Sequence, residues 1–386
     1  MKKSKRLKSL IFLCAIGLLG IIVFLSCNFN FNGNSEEEEP KTWETARPLK
    51  NIYTGEFLIG NIIRNTADFS NPVRSGILSR HYNTVTAEND MKPIAIAPNP
   101  APASASVTWN YRWNTADTIV DNARNAGFDV HGHTLIWHSQ SPEWLANGGE
   151  TYLNKFVGDV VEHFKGRLIS WDVVNEAMRD GLQPADVAGD WRNCLRLDAR
   201  WYQSIGPEYI EKAFLAARAA DPDAMLYYND YSLNSFQGNN KQRAVYKMVQ
   251  DINERYPNVG GRKLIDGIGM QSHHHLNTTP ESVEASIQLF SSLGVEIAIT
   301  EMDIMAAKAG YNNLMNNWDD SAAQLQAKKY AAMFRIFINH SSEISRVTFW
   351  GLDDGTSWRA SSRPTLLNGD YSLKPAFYAV SNPQKY

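Results

Sequence analysis

The chain has 386 residues, 43% of them hydrophobic and 11% aromatic, with 38 Lys+Arg against 41 Asp+Glu. So much apolar and aromatic sequence excludes a disordered chain, and a net charge of −3 gives no basis for a nucleic-acid partner. Three cysteines, Cys14, Cys27 and Cys194, cannot build a disulfide framework, and Cys194 alone in the body of the chain argues against a thiolate zinc site.

The N-terminus reads as an address. Lys2, Lys3, Lys5, Arg6 and Lys8 precede an apolar run from Leu10 to Leu25, shorter than the about 20 residues of a spanning helix. A basic start, a short apolar stretch and Ser26-Cys27 suit an export signal. Leu25-Ser26-Cys27 resembles a bacterial lipoprotein cleavage site, although Phe24 stands where that pattern prefers Leu. The resemblance implies removal of residues 1–26, lipidation of Cys27 and anchoring to a Gram-negative outer membrane or cell surface. A plain secretory signal or an uncleaved anchor is the alternative. Processing would take away five basic residues and no acidic one, leaving 33 against 41. Residues 27–42 contain Asn28 to Ser35 and the acidic run Glu36 to Glu39, which read as a flexible tether. Residues 43–386 read as one catalytic domain, expected to act as a monomer.

Strand-like runs follow at Phe57–Ile63, Asn83–Ala87, Asp129–Trp137, Ile169–Asn175, Met225–Tyr228, Ile265–Gln271, Val295–Thr300 and Val347–Gly351. Helical periodicity lies between them: Leu153, Phe156, Val157, Val160, Val161 and Phe164 form one apolar stripe, and Ile210–Ala217 and Val245–Ile252 repeat the pattern. Eight strands alternating with helices predict an α/β fold, a single-domain (β/α)8 TIM barrel. The alternative is an open doubly wound sheet, but no Gly-rich dinucleotide or phosphate loop follows the first strand.

In such a barrel the chemistry sits at the C-terminal ends of the strands. Glu88-Asn89, His133 to Gln140, Asn175-Glu176, Gln271 and His273, Glu301 and Trp350 all fall there. Amides and carboxylates can bond sugar hydroxyls, while indole faces stack on sugar rings. Glu176 and Glu301 each follow an apolar strand, where an unneeded carboxylate would be costly. Strands four and seven face one another across the barrel mouth, so the pair could flank one glycosidic bond, as glycoside hydrolysis requires.

These segments resemble glycoside hydrolase family 10, whose members are endo-β-1,4-xylanases. The resemblance rests on Gly132 to Gln140, Trp171-Asp172-Val173-Val174-Asn175-Glu176-Ala177, Ile299-Thr300-Glu301-Met302-Asp303, Thr86 to Lys92, Tyr228-Asn229-Asp230-Tyr231, Gly267 to His273, and Trp350-Gly351 with Trp358-Arg359. It covers nearly everything from about residue 50 onward. The resemblance implies a retaining enzyme acting on xylan without a cofactor, with Glu176 as acid/base and Glu301 as nucleophile. It further implies that Asn175 bonds the sugar 2-hydroxyl, that His273 supports Glu301 with help from Gln271, and that Glu88, Asn89, Lys92, His133, Trp137 and Gln140 hold xylosyl units. Trp350 and Trp358 match tryptophans that cover the site. Pro93, the Ala/Pro/Ser-rich loop Ala97 to Ser106, and His131, His274 and His275 depart from the pattern.

Three rival readings remain open. His131-Gly132-His133 resembles the His-x-His of metal-dependent hydrolases, but it falls on the third strand rather than the first, so no metal is expected. An endo-β-1,4-glucanase or mannanase of the same barrel clan would share the paired glutamates. A non-catalytic surface glycan-binding lipoprotein would be expected only if one carboxylate were missing.

Overall fold

The computed structural model describes residues 40–97, 99, 104–234, 240–306 and 318–386. The proposed signal, Cys27 and the tether as far as residue 39 lie outside the described residues, as do parts of the Ala97 to Ser106 loop. From Pro40 onward the chain is one compact unit. The Pro40 carbonyl accepts a hydrogen bond from the Tyr378 hydroxyl at 2.8 Å, so residues 40–42, expected to be tether, begin the folded body.

The strands are β1 (Leu58–Ile63), β2 (Thr84–Ala87), β3 (Asp129–Trp137), β4 (Ser170–Asn175), β5 (Met225–Asp230), β6 (Gly267–Met270), β7 (His273–His275), β8 (Glu296–Met305) and β9 (Ile344–Phe349). All except β7 join one closed ring of parallel pairs, from β1–β2 round to β6–β8, β8–β9 and β9–β1. This is the expected eight-stranded (β/α)8 barrel. The short β7 extends the sheet above the ring by pairing with the far half of β8. Glu301 therefore does not end its strand. Its N–H still donates to Gln271 O at 2.9 Å, and β8 continues because β7 and β9 supply partners as far as Met305.

The periodic segments are helices. Gly149–Phe164 buries the six-residue stripe from Leu153 to Phe164, each large side chain contributing about 1.5–3 kcal/mol by its burial. Tyr209–Ala220 and Lys241–Arg255 pack in the same way. Asp319 caps the long helix Asp320–Asn339 by accepting from Ala322 N–H at 2.9 Å.

Close packing inside the ring sets where polar groups can lie. A Cβ at Gly132 would fall 2.2 Å from the Trp171 ring, so this strand position tolerates only glycine. Arg346 is buried over the Tyr227 ring, 4.7 Å from its centroid, and lies 3.0 Å from His131 Nε2. Burial and the Arg346 charge push His131 down to about 4, so its ring is neutral at pH 7. The His-x-His pair is thereby explained without a metal: His131 and His133 lie 3.1 and 2.9 Å from Asp172 Oδ2. Burial pushes the Asp172 carboxyl up, but the two imidazoles more than reverse this and keep it ionised.

Candidate active site

The C-terminal ends of the strands open into a cleft of about 630 Å³. Glu88 and Asn89 reach it from the loop after β2, with Lys92 just beyond, and His133, Trp137 and Gln140 from β3 and its loop. Asn175 and Glu176 come from β4, Gln271 and His273 from the β6–β7 junction, Glu301 from β8, and Trp350 and Trp358 from the segment after β9. All thirteen cleft positions expected from the sequence line this one space.

The two glutamates are held differently. Glu176 Oε1 accepts from Gln271 Nε2 and Oε2 from Trp137 Nε1, both at 2.8 Å, and His138 Nδ1 lies 3.8 Å from Oε2. Glu301 Oε1 accepts from Asn229 Nδ2 at 2.9 Å, and Oε2 lies 3.2 Å from His273 Nε2. Burial raises the Glu301 carboxyl, but the His273 bond, the His133 and His273 charges and the Asn229 donor outweigh it and hold the group below its ordinary value. Burial lowers His273, yet Asp303, 3.0 Å from Nδ1, and Glu301 bring it up to about 9. Asp303 in turn accepts from Trp358 Nε1 at 3.0 Å and Arg359 Nη1 at 3.2 Å. At neutral pH the Glu301 side of the cleft is a carboxylate–imidazolium–carboxylate row.

A string of amides joins the two sides. Asn175 Oδ1 accepts from Asn229 Nδ2 at 3.0 Å and from Gln271 Nε2 at 3.2 Å. With its oxygen doubly occupied, the Asn175 N–H₂ is left as a donor toward the cleft. Gln271 thus bonds Glu176 and Asn175 rather than supporting His273. The reason is its place: β6 ends beside β5, and the chain then turns away into β7. Lys92 donates to Asn89 Oδ1 at 2.9 Å and stands 5.1 Å from the Trp137 ring centroid. Burial lowers its ammonium, partly offset by Glu301, Glu88 and Glu176.

Asn229, Asp303, Tyr231, Ser232, His275 and Arg359 also belong to the site or its rim. Most lie in segments recognisable in the sequence, without an assigned role. Asn229 and Asp303 obeyed the same signal as the glutamates, a polar side chain near the C-terminal end of an apolar strand. Among the described residues, no group of three or more His, Cys, Asp or Glu side chains is arranged to hold a metal ion.

Chemically, the cleft offers an ionised carboxylate, a second carboxyl able to exchange a proton with whatever lies between them, and many donors. Amides, a lysine and indoles suit a ring bearing several hydroxyls.

Residues 48–383 match the family described as glycosyl hydrolase family 10. The chain is 37% identical over 376 residues to endo-1,4-beta-xylanase A of Thermotoga neapolitana, covering 93% of this chain and 32% of that protein. It is 34% identical to a beta-1,4-xylanase of Dictyoglomus thermophilum over 93% of this chain and 97% of that one. The chain thus spans about a third of the first relative and nearly all of the second. A crystal structure of a GH10 xylanase from termite gut, which contains a bacterial Ig-like domain, superposes with a TM-score of 0.80 at 33% identity, over 90% of this chain and 80% of that one. With its closed barrel, its paired glutamates and a match running almost from end to end of the folded body, the chain belongs to glycosyl hydrolase family 10.

Proposed function

We propose that the protein is an endo-1,4-β-xylanase that cleaves internal bonds of xylan with retention of configuration. The observation that carries this reading is the pair Glu176, just after strand β4, and Glu301, on β8, joined through Gln271, Asn175 and Asn229 in one sugar-sized cleft. Family membership and the xylanase activity named for its relatives support the substrate.

In this reading Glu301, kept ionised by His273, attacks the anomeric carbon while Glu176 gives its proton to the departing glycosidic oxygen. A glycosyl ester on Glu301 results. Glu176, now a carboxylate, takes a proton from water as that water attacks the anomeric carbon, and Glu301 leaves unchanged. The Asn175 amide donates to the 2-hydroxyl, a bond that strengthens as charge develops on the ring. Glu88, Asn89, Lys92, His133, Trp137 and Gln140 hold adjoining xylosyl units, and Trp350 and Trp358 cover them. No step needs a cofactor.

Incubation of the folded domain with xylan and with carboxymethylcellulose tests the substrate, since cleavage of cellulose alone would overturn it. Glu176→Ala and Glu301→Ala test the roles, and full activity in the latter overturns the mechanism. The basic and apolar N-terminus supports export and anchoring through a lipid on Cys27. Cys27→Ala should move the protein from the membrane to the soluble fraction, and continued membrane retention would refute the anchor.

A further inference from the structure

Apart from Asn229, which belongs to the site, the groups that hold the backbone around Glu176 lie outside the lining of the cleft. Glu176 has φ +57, a left-handed conformation that costs energy in a residue with a long side chain and persists only where the surroundings impose it. Its N–H donates to Asn229 O at 2.8 Å, and its carbonyl accepts from Arg196 Nε at 3.0 Å. The next two amides, of Ala177 and Met178, both point to the Tyr228 hydroxyl, at 3.0 and 3.3 Å.

A tyrosine hydroxyl has one proton and two lone pairs. Tyr228 gives its proton to Asp230 Oδ2 at 2.6 Å, which leaves both lone pairs for the two amides. Asp230 is fully buried, and its other oxygen accepts from Tyr231 N–H at 2.9 Å and Lys241 Nζ at 3.2 Å. The ionic pair behind the site thus fixes which way the hydroxyl turns.

We propose that Tyr228 and Arg196 are positioning residues for proton transfer by Glu176. They clamp the chain on both sides of its left-handed residue, and Asp230 with Lys241 keeps the Tyr228 oxygen in its accepting orientation. The proposal rests on the reading of Glu176 as the acid/base. Tyr228→Phe leaves two amides without an acceptor, and the turn satisfies them by shifting toward water, carrying the Glu176 carboxyl with it. Neither residue bonds Glu301, so the damage is confined to one of the two carboxyls.

That selectivity gives the test. Tyr228→Phe and Arg196→Ala are compared with Glu176→Ala on xylan and on a dinitrophenyl xylobioside, whose leaving group departs without a proton. On xylan, kcat/KM of both positioning variants falls about 10- to 100-fold. On the aryl substrate, kcat/KM falls by less than about threefold, while kcat drops and KM drops with it, because the same carboxyl must take the proton from water in the second step. Azide restores that kcat: it attacks the anomeric carbon of the ester, releases Glu301 as carboxylate and needs no base. Equal losses of kcat/KM on the two substrates, or no loss on either, overturn the proposal. Arg196 is partly exposed, so Arg196→Ala carries the test if Tyr228→Phe fails to fold, as judged by circular dichroism. A Glu176→Ala variant without the leaving-group signature overturns the acid/base reading itself. One with the signature, beside a folded Tyr228→Phe without it, overturns the positioning role alone.

Discussion

His273 supplies the charge shared by two buried carboxylates, and removing it should leave a mark that depends on pH. Its Nε2 is 3.2 Å from Glu301 and its Nδ1 3.0 Å from Asp303. Burial opposes the imidazolium, but Asp303 and Glu301 prevail and bring its pKa from 6.5 to about 9. At 1.36 kcal/mol per tenfold, that gap corresponds to about 3 kcal/mol of folding stability. The folded value lies above the unfolded one, so the contribution is complete below pH 6.5 and disappears as pH rises through about 9. His273→Gln keeps an N–H donor near Glu301 but carries no charge. Urea unfolding followed by tryptophan fluorescence should place it about 3 kcal/mol below the wild type near pH 5.5, with the difference shrinking steadily toward pH 9.5. Glu301 also loses a cation that lowers its pKa, so the acidic limb of kcat/KM should move to higher pH. A stability difference independent of pH, or one that widens with pH, would refute the charge argument.

Other substitutions probe neighbouring links. Asn229→Ala removes the donor to Glu301 and Asn175 and the acceptor for the Thr300 hydroxyl, which lies 2.6 Å away; it should cost about 2–4 kcal/mol in unfolding and lower kcat on xylan about 100-fold or more. Gly269→Ala would put a Cβ 2.4 Å from Asn229 Oδ1, so a milder version of the same loss, about 1–3 kcal/mol with reduced kcat, should be measured. Lys374 bonds Asp354 at 2.8 Å and the carbonyls of Arg363 and Thr365 beneath the segment bearing Trp358. Lys374→Met strands a buried carboxylate and should cost about 3–5 kcal/mol by thermal or urea unfolding, with KM for xylan raised.

The strands were legible because a barrel strand is buried on both sides and reads as an apolar run. The glutamates themselves were equally legible: a carboxylate beside Ile297–Thr300 or Val173-Val174 is too costly to be incidental. What the local pattern misplaced was the end of β8. Nothing near Glu301 in sequence announces that His273–His275 will pair with residues 303–305 and carry the strand onward.

The sequence by itself determined the eight strands, the helical stripes and the two carboxylates, since periodicity and the cost of burying charge act over a few neighbouring residues. Closure of the barrel decided the rest. Only then does Asn229 meet Glu301, 72 positions away, Gln271 meet Glu176, 95 away, and Arg346 meet His131, 215 away. The wiring that sets protonation and holds Glu176 in its left-handed turn depends on ångström distances between strands, which no run of residues along one strand encodes.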